Sequence, residues 1–284
     1  MVYDPQQDLV SWPHGWRPRD RTGGEEVTDE LEFTWYVVPD TTAPDVPRRL
    51  VQSLRDHAPE ALPKRYGGCE PLAHRFNDDA AFVEQWLLET TQGFGALFWT
   101  ATPPSFGGSM FADRTARCLR MGLSFDARPF YRDRAVTRRI VALFHSLAAD
   151  LGCVYGAATV QRGVVIRRGR ASSRFGKETG PLPRTTGWVG LPAAPTWIAW
   201  FGRPYAERVR ASVAGHIAAA SEVGILVQAG EDPMTADRLA DVFPPLPAPL
   251  LARRGRRARW ERGATFTWGF APPSDPAQEI PPLD

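Results

Sequence analysis

Residues 191–202 read LPAAPTWIAWFG, a run with no charged or ionisable side chain that holds two tryptophans, a phenylalanine, an isoleucine and two prolines. Such a run is core, an exposed contact surface, a membrane-touching segment or the wall of a pocket, and the fold turns on which. Membrane contact is disfavoured, because the prolines interrupt a helix and no basic residues line an opposing face. Pro195 pre-sets the first turn of a short helix carrying Trp197, Ile198 and Phe201, and Gly202 ends it. On that helix Trp197 points into the core. Trp200, on another side of the turn, is expected to be at least half exposed and available to a partner, tryptophan being enriched among the residues that dominate interface energetics.

Working outward, Pro204 fits the first turn of a further helix, YAERVRASVAGHIAAA, and GILVQAG (224–230) is a buried strand bounded by glycines. TADRLADVF is a short helix. Upstream, CLRMGLSFD (118–126) alternates Leu119, Met121, Leu123 and Phe125 with Arg120, Gly122 and Ser124, the period of a half-buried strand. From Asp133 to Leu151, Val136, Ile140, Leu143, Phe144, Leu147 and Leu151 recur at helical spacing, and Gly152 sits where a terminating glycine belongs. Residues 153–167 read as a hairpin broken at Gly163, and 170–187 as a polar loop of the length that is usually functional or disordered.

The first half is sparser. LEFTWYVV (31–38) is rich in aromatic and β-branched residues and predicts a strand. A helix follows from Asp45 to about Ala58, then a glycine-rich loop, RYGGCEPL. Asn77, Asp78 and Asp79 supply caps and first-turn negative charge for a second helix, AAFVEQWLLETT. ALFWTA (96–101) is a continuous apolar strand, and SFGGS is loop. Short strands interleaved with helices, without a strict β-α-β-α series, define an α+β class: a mixed, mostly antiparallel sheet with helices packed on one face. Residues 1–30 read as a flexible lead-in, 31–252 as one domain and 253–284 as an Arg/Pro-rich tail. The spans 31–112 and 117–250 can each be read as a sheet-plus-helices lobe.

Composition narrows the function classes. The chain has 284 residues, 43% apolar and 23% charged, with a net charge of +2. At this size roughly three quarters of the unfolded surface leaves water on folding, so neither disulfides nor metals are needed to hold it. The near-neutral charge gives no general pull toward nucleic acid or membrane. Only Lys64 and Lys177 are lysines among 34 basic residues, a genome-level bias that discounts arginine counts. Cys69, Cys118 and Cys153 are too far apart for a zinc knuckle or a disulfide framework. No basic-then-apolar leader opens the chain, so the expected location is cytoplasmic.

Motifs for chemistry are missing. There is no GxSxG elbow and no HExxH, GFGALF lacks the third glycine of a dinucleotide fingerprint, and FGKET carries Glu178 where a phosphate loop needs Ser or Thr. The five histidines are scattered, and His145 fits a structural role in the long helix. The reading is therefore no catalytic residue, no metal and no cofactor. Two charged segments remain. The acidic cluster of Glu25, Glu26, Asp29, Glu30 and Glu32 would offer a negative patch to a basic partner. The arginines from Arg253 to Arg262, with Trp260 between them, could stack on and neutralise nucleic acid. A small-molecule site would lie between the loops at 66–76 and 103–110.

The pair PTWIAWFGRPYAERV and GILVQAGEDP resembles a pattern seen in bacterial immunity proteins, the antitoxins encoded beside polymorphic toxins, including effectors of type VI secretion. The matching features are Trp197 after Pro195 and Thr196, Gly202 just before the helix of Tyr205, and Gln228-Ala229-Gly230 followed by Pro233. The strand–helix–strand unit at 123–158 belongs to the same resemblance, which covers about 118–250. It implies an α+β fold whose work is surface complementarity to a cognate protein toxin. The residues offered to that toxin would be Glu25, Glu26, Asp29, Glu30 and Trp200.

Overall fold

The structure, a computed structural model, describes residues 26–37, 45–92, 95–113, 118–167, 170–173, 191 and 195–251. Its frame is an antiparallel sheet built around two strands that the alternation at 118–126 and the aromatic run at 31–38 specify. The first, β1 (Glu26–Val37), pairs along most of its length with β6 (Cys118–Asp126) on one side. On its other side lies β7 (Tyr155–Arg167). Leu31, Phe33, Trp35 and Val37 of β1, with Leu119, Met121, Leu123 and Phe125 of β6, form one fully buried face.

Beyond β6 the sheet continues through β5 (Ser105–Asp113), β4 (Ala96–Thr100), β2 (Arg65–Gly67) and β3 (His74–Arg75). Beyond β7 come β9 (Ile198–Gly202), β11 (Gly224–Gln228) and the edge strand β10 (Ile217–Ala220). The short β8 (Arg170–Ser173) pairs with the far end of β7. Among the described residues eleven strands form one sheet that runs through both 31–112 and 117–250.

Helices cover the buried face. These are α1 (Asp45–His57), α2 (Asp79–Thr91), the short α3 (Arg128–Arg132) and α4 (Arg134–Asp150). Asp133 caps α4 by accepting the Ala135 N–H at 2.8 Å, and Asp78 caps α2 by accepting that of Ala81 at 2.8 Å. Gly152 adopts φ +59°, the left-handed conformation that ends α4. Phe144 of α4 sits 5.8 Å from Phe33 and 5.3 Å from Trp35, and the Trp35 indole N–H donates to the Phe144 carbonyl. Full burial of each such ring stabilises the fold by about 1.5–3 kcal/mol. Gly156 of β7 leaves room for Phe144, since a Cβ there would lie 3.0 Å from its ring.

A fifth helix, α5 (Arg203–Val213), packs on the opposite face at one end only. Tyr205, Val209 and Val213 bury against Phe201, Ile225 and Val227. The last helix, α6, is the single turn Ala236–Leu239. No described helix is long and apolar enough to cross a membrane.

Several local expectations are corrected. Within the run at 195–202, Ile198–Gly202 is strand β9, not part of a short helix, because its backbone pairs with β7 on one side and β11 on the other. Its fully buried residues Ile198 to Gly202 are what a central strand covered on both faces requires. Gly163 does not break the chain into a hairpin: β7 runs through it, with one extra residue on β7 where the register shifts opposite Thr28 and Glu30. Residues 26–30, placed in the lead-in, are the start of β1. The helix begun at Pro204 stops at Val213, and its expected end is the edge strand β10. SFGGS is the start of β5, and the RYGGCEPL loop opens with β2.

Candidate partner-binding site

Two members of the acidic cluster, Asp29 and Glu30, are interior, and Glu32 is partly exposed. Glu25 lies outside the described residues, and Glu26 opens β1. Asp29 and Glu30 are only 3% and 7% exposed, so they are not the free negative patch that the sequence suggests. Tyr131 of α3 donates its hydroxyl to Asp29 at 3.3 Å, and the Ala127 N–H donates to the Asp29 carbonyl at 2.8 Å. Glu30 sits opposite Asp126 in the β1–β6 register. Asp126 in turn accepts from Thr28 Oγ1 at 2.7 Å, from the Arg128 backbone N–H at 3.0 Å and from the Arg128 guanidinium. Burial pushes the Asp126 carboxyl up; the Arg128 and Thr28 hydrogen bonds and the arginine charge outweigh it and hold the carboxyl below the ordinary range. These acids tie β1 to the β6–α3 corner.

Beside that corner a cleft of about 250 Å³ opens between Tyr131 and the 231–238 segment. Its accessible charges are Glu231, Asp232 and Arg238, with Glu231 paired to Arg134 at 2.9 Å. Among the described residues, no group of three His, Cys, Asp or Glu could hold a metal ion.

Trp200 is also corrected: it is 0% exposed. Strand geometry sends it to the helix-covered face, where its indole N–H donates to the Cys153 carbonyl at 2.8 Å and its ring packs on His145 of α4. Trp197 is equally buried and donates to the Gly230 carbonyl at 2.9 Å. Gly202 meets β7 so closely that a Cβ would sit 2.2 Å from the Cys153 carbonyl oxygen. Tyr205 and Pro233 are buried as well. The residues that carry the resemblance thus serve the joint between β9, α5 and the segment after β11. Cys153 lies fully buried at that joint, where burial pushes its thiol well up from the usual value.

The surface that sequence reasoning missed is the other face of the sheet. Alternate residues of β1, β4, β5 and β6 point there: Glu32 and Thr34, Phe98 and Thr100, Ser109 and Phe111, Arg120, Gly122 and Ser124. All are partly exposed, in contrast to their buried neighbours. The registers align them in rows. One row runs Ala157, Thr34, Gly122, Ser109 and Phe98, and the next runs Thr159, Glu32, Ser124, Gly107, Thr100 and Arg65. Small side chains form the floor. Along one margin Phe98 and Phe111 meet edge-to-face at 5.0 Å, with the Arg120 guanidinium 4.7 Å above the Phe111 ring. At the other margin Gln161 donates to Glu32 at 2.7 Å. The polar half of the 118–126 alternation was the one available signal of this face.

No family model matches the chain, and no curated protein matches it in sequence. A solved structure to which it is similar is a Pseudomonas aeruginosa T6SS protein, at 14% identity and a TM-score of 0.46, over 78% of this chain and 70% of that one.

Proposed function

We propose that this chain is an immunity protein that binds and neutralises a cognate secreted toxin domain in the cytoplasm by contact, without catalysis of its own. The observation that carries this reading is the half-exposed sheet face, small-floored between an Arg–Phe margin and an acidic margin. A rigid sheet holds such a surface in shape before the partner arrives, so little ordering entropy is lost on binding. Arg and Phe are also enriched in the cores of protein interfaces. The resemblance of residues 118–250 to immunity proteins supports the same reading. Against a nuclease toxin, the accessible carboxylates Glu231 and Asp232 would face its phosphate-binding cations, a role that the buried Asp29 and Glu30 cannot fill.

Co-expression tests the proposal. Each toxin domain encoded beside this chain's gene is produced in a host with and without it. Restored growth and a co-eluting complex on a sizing column are expected with one of them. No protection and no complex with any of them refutes the reading.

A further inference from the structure

Gly122 occupies the middle of β6, between β1 and β5, on the half-exposed face. Glycine inside a central strand weakens it, and it is found there for a bulge, a tight bend or the close approach of another molecule. The first two are excluded. Both registers run unbroken through Gly122, and it is not among the glycines with positive φ. Nor does packing demand it. A Cβ on Gly122 would meet Ser109 Oγ at 3.3 Å and the Phe33 carbonyl oxygen at 3.7 Å, contacts that a small turn of the serine hydroxyl relieves. Gly107, Gly108 and Gly202 differ, whereas Gly67 of the short β2 is as unobstructed as Gly122. A Cβ on Gly107 or Gly202 would lie 2.0 or 2.2 Å from a backbone oxygen, and one on Gly108 would lie 2.2 Å from the Trp99 ring.

We infer that Gly122 is the seat of a docking face on which a polypeptide segment of the partner lies across β4, β5, β6 and β1, its backbone close over the glycine. This rests on the immunity reading and names the surface that performs it. The row through Arg75, Arg65, Thr100, Gly107, Ser124 and Glu32 gives the segment its polarity. Arg65 on β2 stands about 19 Å, four strand spacings, from the Glu32 carboxylate on β1, and Arg75 one strand beyond it. The complementary segment carries a carboxylate toward Arg65 and Arg75, a cation toward Glu32, and small or flat apolar side chains between them. The face measures about 20 by 20 Å, half of what one partner contributes to a standard interface, so it forms the centre and the loops around it the rim.

The experiment compares wild type with Gly122→Val and Glu32→Lys, using Arg138→Glu on the helical face as the control. Thermal unfolding of the free chains comes first: Gly122→Val is expected to melt at or above the wild-type Tm. Titration against the toxin domain that the wild type neutralises follows. Gly122→Val is expected to weaken binding by about 100-fold, the scale of losing a central interface anchor, and Arg138→Glu to leave it unchanged. Glu32→Lys is expected to weaken it by about tenfold at low salt and less at high salt. A Gly122→Val chain that unfolds overturns the inference, because the fold then needs the glycine. A wild-type complex that Gly122→Val forms equally well overturns the docking face and leaves the immunity reading standing. A wild type that binds no adjacent toxin overturns both. Retention of a short single-stranded DNA by wild type but not by Gly122→Val would replace the protein occupant with nucleic acid.

Discussion

At the scale of single residues, the tryptophans among the described residues serve the interior. Trp35, Trp86, Trp99, Trp197 and Trp200 are all buried, and what separates them is whether the indole N–H finds an acceptor. Trp99 donates to the Ala61 carbonyl at 3.1 Å, whereas Trp86 Nε1 is buried with no hydrogen-bond partner. Trp99→Phe strands a carbonyl, while Trp86→Phe removes an orphaned donor. In urea unfolding Trp99→Phe is therefore expected to cost about 1–3 kcal/mol more than Trp86→Phe. Trp200→Ala is expected to lose about 3–5 kcal/mol, and Trp200→Phe to keep any partner affinity at wild-type level, since the side chain reaches no surface. Trp200 was misread because a five-residue apolar run fits both a helix with one exposed side and a strand, and only the pairing of β9 with β7 and β11 places it in a strand covered on both faces.

At the scale of elements, the caps and the long helix were legible because they are local chemistry. Asp133, the periodic Ile140–Phe144–Leu147 face and Gly152 each act within a turn or two of chain. Asp133→Ala is expected to cost about 1 kcal/mol, read as a lower urea midpoint at unchanged slope. The Thr28–Asp126–Arg128 network was invisible because its members are 98 residues apart along the chain. It makes a pH prediction. The Asp126 carboxyl is held below its unfolded value, so its contribution is fully present above about pH 4 and is lost as pH falls through the folded value. In Arg128→Gln the guanidinium hydrogen bonds and charge are lost, only the Thr28 hydroxyl and the residue-128 backbone N–H still oppose burial, and the carboxyl moves up. The variant is expected to be about 3 kcal/mol less stable than wild type at pH 7. That gap is expected to narrow as pH is lowered toward 4, where protonation removes the uncompensated charge. Urea titrations at pH 7, 5.5 and 4 check this, and a gap that widens on acidification contradicts it.

At the scale of the whole molecule, β1 is the keystone. Most of it lies in the span 31–112, yet both of its neighbours, β6 and β7, come from 117–250. Residues 31–112 and 117–250 expressed separately are therefore expected to show no cooperative thermal transition, and to regain one when mixed. Two sharp, independent melts would contradict the shared sheet. The sequence by itself determined the α+β class, the principal helices with their caps, and the strands β1, β4, β6 and β11, because helix periodicity, capping and two-residue alternation are written in neighbouring residues. Only the tertiary structure decided that 198–202 is a central strand, that Asp29 and Glu30 of β1 are buried, and that a sheet face with Gly122 at its middle stands half exposed. Each depends on which distant strand supplies the partner hydrogen bonds and on which face a helix covers, and no local pattern encodes either.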